Sequence, residues 1–278
     1  MTRAHQAEAA LRDQLAADSS SAALDAALLL AHVLGLSRAA LAARPELELT
    51  AAQALHLGQL AVRRAAGEPL AYLTGRREFW SLELDVTPEV LVPRPETELL
   101  VEWALEALAG RPDPAVLDLG TGSGAIALAI ARERPDARVT GVDISEPALA
   151  VARGNAGRLA LANLQFAAGN WFEPVAAARF DVIVSNPPYV AAGDPALGAL
   201  AHEPRVALVA GEDGLRALEA ICAGAGCRLV SGGSLLVEHG ATQGAQVRAW
   251  MAQSGFAGIE SRRDLAGRER ATRGNSAG

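Results

Sequence analysis

A chain of 278 residues, half of them hydrophobic, has room for one large domain and one small one, each with a packed core. The formal net charge is −7 with no block of like charges, which argues against a protein that grips a nucleic-acid backbone by itself. The N-terminal stretch has no apolar export signal, and Asp25, His32 and Arg38 interrupt the most apolar segment, so we expect a cytoplasmic protein without a membrane span.

The first predicted unit is a small helical domain over residues 1–75. Its apolar residues recur at spacings of three and four, as in LDAALLLAHVLGL and AAQALHLGQLAVRRAAG, without strand-like alternation. Residues 76–95 follow, where several Gly and Pro residues break helices while EFWSLELDV alternates like a strand. We therefore predict a hairpin-like connector over this second stretch.

Residues 96–278 alternate regularly between short apolar runs and helical stretches. The predicted strands are AVLDLG, RVTGVDI, LQFAAGNWF, FDVIVSN and SLLVEHG, with a final strand pair around GIESRRDLAG and RERATRG. Such alternation is typical of a doubly wound α/β sheet whose parallel strands are crossed by helices. Ligands bind such sheets in a crevice at the carboxyl ends of the strands, so the candidate site residues are sought there.

A glycine-rich turn follows the first of these strands. It comprises Gly120, Thr121, Gly122, Ser123 and Gly124. Glycine lets a ligand approach the backbone closely, and Asp143, one strand later, suits a carboxylate that accepts hydrogen bonds from ribose hydroxyls. The order GxGxG favours S-adenosylmethionine over NAD, although a turn that only packs helix against strand stays possible. Trp171, at the third strand end, lies either against an adenine ring or in the core.

The stretch SNPPYV ends the strand FDVIVS, which we expect beside the first strand and therefore next to the glycine turn. Asn and Pro are ordinary turn residues, so a simple strand terminator is one interpretation. The other is an acceptor site for a planar NH₂ group: the Asn186 side-chain oxygen and the Pro187 carbonyl, held rigid by Pro188, would each accept one N–H. Tyr189 would cover the planar group. Methyl transfer from a sulfonium to such an NH₂ group requires no metal.

The order DLGTGSG, GVDIS, GNWF, SNPPYV resembles class I methyltransferases that modify a planar NH₂, including adenine-N6 and glutamine-N5 enzymes. The elements that flank these motifs are specific to a smaller family. They are RREFW, LVPRPETE, EPRVALVAGEDGL and VEHGATQGAQVRAW, and they resemble the peptide chain release factor glutamine methyltransferases, the PrmC/HemK family. The similarity runs from about Arg63 to Gly274. It implies a Rossmann-like, mostly parallel seven-stranded sheet, preceded by the helical domain and the hairpin.

The resemblance also implies a function: transfer of a methyl group from S-adenosylmethionine to the amide nitrogen of the glutamine in the Gly-Gly-Gln motif of class 1 release factors. The partner would be the release factor, docked by the helical domain, with no direct nucleic-acid contact. The carried-over cofactor residues are Gly120, Thr121, Gly122, Ser123, Gly124, Asp143, Trp171 and Asn186, and the carried-over catalytic residues are Asn186, Pro187, Pro188 and Tyr189. One departure is Asn170, where family members often have an acidic residue.

Four other polar residues are considered for the site. Arg94 and Glu96 would line the mouth of the pocket or form a surface ion pair. Glu238 and His239 are left outside the site, because the expected chemistry needs no histidine.

Two alternatives to glutamine methylation remain at this point. Adenine-N6 methylation of DNA or RNA uses the same NPPY motif but calls for a basic cleft or a target-recognition domain. A non-enzymatic nucleotide-binding protein would not require Asn186 at all.

Overall fold

The computed structural model of the chain describes residues 2–17, 19 and 21–277. It divides into two units, residues 1–76 and 77–278, so residues 77–95, predicted as a connector, fall within the larger unit. Residues 1 and 278, the outer bounds of the predicted domains, lie outside the described residues.

The smaller unit is built mainly from helices, as its apolar periodicity predicts. Its elements are β1 (Thr2–Arg3), α1 (Ala4–Leu15), α2 (Ala22–Leu34), α3 (Arg38–Ala42), β2 (Glu48–Leu49), α4 (Ala51–Ala65) and α5 (Leu70–Thr74). Leu15, Leu29 and Leu30 are fully buried where these helices pack together. The antiparallel pair of β1 with β2 was not predicted, because two residues are too few to show a period of two.

A tight hairpin follows, formed by β3 (Arg76–Phe79) and β4 (Leu82–Asp85). The run EFWSLELDV, read as one alternating strand, is in fact broken at Trp80 and Ser81, whose φ angles are +52° and +57°. Two consecutive left-handed residues turn the chain back with the twist that adjoining antiparallel strands require. The sequence suggested a continuous strand because neither turn residue is Gly, Asn or Asp, the residues that usually mark such a turn.

The larger unit alternates strands and helices. Its remaining regular elements are α6 (Glu98–Ala107), β5 (Ala115–Leu119), α7 (Ala125–Glu133), β6 (Arg138–Asp143), α8 (Glu146–Arg158), β7 (Leu164–Ala168), β8 (Phe180–Ser185), α9 (Arg216–Ala225), β9 (Leu229–Glu238), α10 (Gly244–Gln253), β10 (Phe256–Arg263) and β11 (Glu269–Ser276). Short 3₁₀ turns occupy residues 95–97, 173–175, 195–198, 205–207 and 226–228.

Seven strands form one sheet in the order β10-β11-β9-β8-β5-β6-β7. The five strands from β9 to β7 in that order run parallel, and β11 is antiparallel to both of its neighbours. The predicted mostly parallel seven-stranded sheet is therefore confirmed. In the β5–β8 pair Leu119 lies opposite Ser185, so the glycine turn and the SNPP bend leave the sheet side by side.

Helices cover both faces of this sheet. Along β5 the side chain of Val116 joins the core beneath α6 and α7, whereas Leu117 and Leu119 join the core beneath α9 and α10. Alternate residues of a strand point to opposite faces, so a strand covered on both sides is apolar throughout, as VLDL nearly is. The exception, Asp118, is fully buried.

A buried asparagine ties three segments together near the glycine turn. Asn155 on α8 is 0% exposed. Its Oδ1 accepts a hydrogen bond from the backbone N–H of Asp85 at 2.7 Å, and its Nδ2 donates to the carbonyls of Asp85 and Ser123, both at 3.0 Å. These bonds fasten the end of the hairpin and the glycine turn to one helix.

We expect Asn155→Leu to lower the free energy of unfolding by about 2–4 kcal/mol, because an N–H and two carbonyls would lose their buried partner. Urea unfolding would measure the loss. The substitution should also weaken S-adenosylmethionine binding, since Ser123 belongs to the turn that lines the first cavity described below. Asn163→Leu is the matched control: its Nδ2 donates to the carbonyls of Ala131, Arg134 and Ala137, away from that turn. Equal loss of cofactor affinity in both variants would contradict the assignment.

Candidate active site

The glycine turn between β5 and α7 has the backbone geometry that its sequence predicts. Gly120, Gly122 and Gly124 have φ angles of +71°, +55° and +85°, which side-chain-bearing residues rarely adopt. The N–H groups of Gly120 and Thr121 both donate to the Val142 carbonyl, at 2.8 and 3.0 Å. The turn is therefore pinned to the end of β6.

Asp143 ends β6 with its carboxylate held by two backbone groups. Oδ2 accepts a hydrogen bond from the Gly122 N–H at 2.8 Å, and Oδ1 accepts one from the Ser145 N–H at 2.9 Å. Partial burial raises the pKa of Asp143, and these backbone hydrogen bonds oppose the rise. A carboxylate offers about four acceptor positions, so Asp143 can still accept from two hydroxyl groups.

These residues surround a cavity of about 230 Å³, which we call the first cavity. Gly120, Thr121, Gly122, Ser123, Asp143, Trp171, Asn186 and Pro188 all line it. A Cβ at Gly120 would lie 3.7 Å from the Trp171 ring, so glycine keeps this part of the wall open. Trp171 itself has a left-handed φ of +47°, which is uncommon for a residue with a bulky side chain.

Gly124 was predicted to contact the cofactor, but it is not among the residues that line the first cavity. A Cβ there would lie 2.9 Å from Leu128 Cδ1 and 3.3 Å from Ala152 Cβ. The close packing of α7 against α8 thus explains this glycine. Asn170, at the position where relatives often carry an acid, does line the cavity and has an exposed side chain.

The SNPP bend separates the first cavity from a second one of about 600 Å³. Asn186 lines both, Pro188 lines the first, and Pro187 and Tyr189 line the second. The predicted acceptor residues are thus brought together beside the glycine turn: the backbone oxygen of Asn186 lies 4.0 Å from the Cβ position of Gly120. In the part of the chain that the structure describes, no hydrogen bond reaches Asn186 Oδ1 or the Pro187 carbonyl.

Two residues that the sequence analysis did not place in the site support this bend. Thr97 receives a hydrogen bond from Asn186 Nδ2 at 3.0 Å, and its own hydroxyl donates to Glu238 Oε2 at 2.7 Å. Glu238, 1% exposed at the end of β9, also accepts from the Tyr189 hydroxyl at 3.1 Å. The one signal in the sequence was a carboxylate directly after the apolar run LLV at the end of β9. His239 beside it is buried and bonded to Thr272, outside this network.

Arg94 lines both cavities and forms an ion pair with Glu203, whose side chain is 3% exposed. Glu203 also accepts a hydrogen bond from the Val92 N–H at 3.1 Å. This pair joins the segment after the hairpin to the loop after the SNPP bend, which is more than the surface ion pair considered from the sequence. Glu96 is exposed and lines neither cavity.

The first cavity fits S-adenosylmethionine. It combines a wall kept open by Gly120, a carboxylate with free acceptor positions at Asp143 and an aromatic ring at Trp171. These groups suit, respectively, a ligand lying close to the backbone, a ribose diol and a flat base.

Comparisons with known proteins agree with this geometry. Residues 111–254 match a methyltransferase domain model, and residues 5–75 match a PrmC N-terminal domain model. The release factor glutamine methyltransferase of Burkholderia pseudomallei is 53% identical, over 92% of this chain and 93% of that protein. The Bordetella pertussis protein of the same name is 51% identical, over 95% and 98%. A methyltransferase structure from Pyrococcus furiosus, 18% identical, has a TM-score of 0.56 and covers 79% of this chain and 99% of its own, which supports the fold.

Among the described residues, no helix is both long and apolar enough to cross a membrane.

The buried Asp118 should make stability depend on pH. Burial raises its pKa from 3.8 to about 7, against a hydrogen bond donated by the Thr121 hydroxyl. The folded chain therefore holds this proton more tightly than the unfolded chain, and stability is lost as the pH rises from about 4 to about 7. We expect Asp118→Asn to unfold at higher urea concentration than the parent at about pH 8, with a smaller difference at about pH 5. An equal difference at both pH values would contradict this assignment.

Proposed function

Because this chain belongs to the family of release factor glutamine methyltransferases, we propose that it methylates the side-chain amide nitrogen, N5, of the glutamine in the Gly-Gly-Gln motif of class 1 peptide chain release factors. It is an S-adenosylmethionine-dependent methyltransferase. The observation that carries the proposal is similarity above 50% identity over nine tenths of the chain, spanning both units.

We assign Asp143 to the ribose of the cofactor and Trp171 to its adenine. The cofactor would lie close to the backbone of the glycine turn at Gly120, Thr121, Gly122 and Ser123. S-adenosylmethionine supplies a methyl group that its sulfonium already makes electrophilic. The protein then has to exclude water and orient the acceptor, and it needs no charged nucleophile of its own.

For the acceptor, we assign Asn186 and Pro187 as the two groups that hold the glutamine amide. An amide nitrogen is a poor nucleophile because its lone pair is delocalised into the carbonyl. If Asn186 Oδ1 and the Pro187 carbonyl each accept one N–H, both hydrogens are fixed and the nitrogen faces the first cavity. Support comes from the unpartnered state of these two oxygens among the described residues. Pro188 stiffens the bend, and Tyr189 borders the adjoining second cavity.

The release factor is the protein partner in this proposal, and the helical unit contributes to docking it. The match of residues 5–75 to the PrmC N-terminal domain supports that role. We place the reaction in the cytoplasm, without direct binding of nucleic acid. The alternative raised by the NPPY motif is adenine-N6 methylation. A net charge of −7 does not favour it, because a nucleic-acid substrate calls for a basic surface.

The proposal is tested by incubating the purified protein with S-adenosylmethionine and a class 1 release factor. Mass spectrometry of the peptide containing Gly-Gly-Gln should show the added mass of one methylene, located on the glutamine by fragmentation. A release factor with Gln replaced by Ala in that motif is the control. An unmodified peptide together with methylated DNA would reverse the ranking of the two functions.

Asn186→Ala should bind S-adenosylmethionine nearly as well as the parent but turn over roughly 10²-fold more slowly, because one of the two groups that orient the amide is removed. Calorimetry would measure the binding, and single-turnover methylation the rate. Asn275→Ala, outside both cavities and bonded to Ser234, controls for the loss of an asparagine as such. A parallel fall of affinity and rate in Asn186→Ala would contradict the assigned role.

A further inference from the structure

A directional hydrogen-bond chain lies behind the SNPP bend. It runs from Asn186 Nδ2 to Thr97 Oγ1 at 3.0 Å and from the Thr97 hydroxyl to Glu238 Oε2 at 2.7 Å. The Tyr189 hydroxyl donates to the other carboxylate oxygen at 3.1 Å. Thr97 is 4% exposed and Glu238 is 1% exposed, so water does not replace these partners. Neither residue is assigned to the reacting groups.

The direction of every bond in this chain follows from its last member. An ionised carboxylate can only accept hydrogen bonds, so both hydroxyl groups must point their hydrogens at Glu238. A hydroxyl has a single hydrogen, and Thr97 has therefore none left for Asn186. Toward Asn186, Thr97 can only accept. The amide of Asn186 must consequently present its NH₂ group to Thr97 and keep its oxygen free.

We propose that Thr97 and Glu238 are positioning residues that set the side-chain amide of Asn186 with its oxygen as the free acceptor for the substrate. This inference rests on the proposed function, which assigns that oxygen to the glutamine amide. The two ends of an asparagine amide have nearly the same shape, so packing alone selects between them poorly. With the amide reversed, an NH₂ group would face the NH₂ group of the glutamine, and one of the two acceptors would be lost.

The direction of the chain depends on the ionisation of Glu238 and therefore on the pH. Burial raises the pKa of Glu238 to about 7, and the hydrogen bonds from Thr97 and Tyr189 and the charge of Arg270 on β11 oppose that rise. The negative charge of Glu96 also raises this pKa, as burial does. Below that pKa the protonated carboxyl becomes a donor, and the direction of the chain is no longer imposed. Above it, the carboxylate accepts from both sides.

The test compares substitutions of one hydroxyl. Thr97→Val removes it with little change in volume, and Thr97→Ser retains it. Thr97→Ala removes it without placing a new methyl group against the buried carboxylate, and it replaces the valine variant if that chain does not fold. Thr140→Val is a matched control, because Thr140 is 6% exposed, accepts a hydrogen bond from the amide Nε2 of Gln165 at 3.1 Å, and lines neither cavity.

We expect Thr97→Val to lower kcat for release factor methylation by roughly 10- to 100-fold while its KM stays within about threefold of the parent. The dissociation constant for S-adenosylmethionine should also stay within about threefold, although Thr97 reaches the wall of the first cavity. Thr97→Ser should recover most of the rate, and Thr140→Val should keep it. A folded Thr97→Val or Thr97→Ala enzyme with unchanged kcat, or a serine variant as slow as the valine variant, would overturn the inference.

A second readout needs no release factor. In protein labelled with ¹⁵N-asparagine, the side-chain NH₂ signal of Asn186, assigned by its absence from Asn186→Asp, should move in Thr97→Val and stay in place in Thr140→Val. An unmoved signal in Thr97→Val would overturn the hydrogen-bond chain. The two failures are distinguishable. If the Asn186 signal moves in Thr97→Val as expected, but the parent protein leaves the Gly-Gly-Gln peptide unmodified, the proposed function is overturned and the hydrogen-bond chain is not.

Discussion

The pairing of β5 with β8 is the constraint on which the site depends. These two parallel strands run in register from Val116 opposite Val182 to Leu119 opposite Ser185. Each then leaves the sheet at the same edge, one into the glycine turn and the other into the SNPP bend. Because neighbouring strands lie about 4.8 Å apart, the proposed cofactor wall and the proposed acceptor groups become neighbours through this pairing alone. A shift of one residue in this register would turn the side chains that follow each strand to the wrong face.

Buried polar side chains then hold the loops that the sheet brings together. Asn155 fastens the glycine turn and the hairpin to α8, and Glu203 joins the segment around Arg94 to the loop beyond the bend. Glu238 supports the bend itself through Thr97 and Tyr189. An unpaired polar group would be costly at such depth, so each of these side chains favours one arrangement of the backbone around it. Preorganisation of this kind suits a reaction in which the protein orients two groups and contributes little covalent chemistry.

Asp118 and Glu238 show how two buried carboxyl groups can differ in their surroundings. Burial raises the pKa of both to about 7. Asp118 accepts from Thr121 within the glycine turn, whereas Glu238 receives two hydroxyl groups and faces the charge of Arg270. In the proposed hydrogen-bond chain, Glu238 acts purely as an acceptor only in its ionised form.

The sequence by itself determined the fold class and the order of strands and helices, and it indicated most of the residues proposed for the site. Apolar periodicity distinguishes helices from strands, and GTGSG, GVDI and SNPPYV mark strand ends because glycine, acidic and proline residues act locally on the backbone. The tertiary structure alone decided which distant residues support those motifs. Thr97 and Glu238 lie 141 positions apart, and Arg94 and Glu203 lie 109 apart, so no local pattern could pair them. The packing role of Gly124 escaped for the same reason, because Ala152 approaches it only in the folded chain. The turn at Trp80 escaped for a local reason, since neither of its two residues is a usual turn residue.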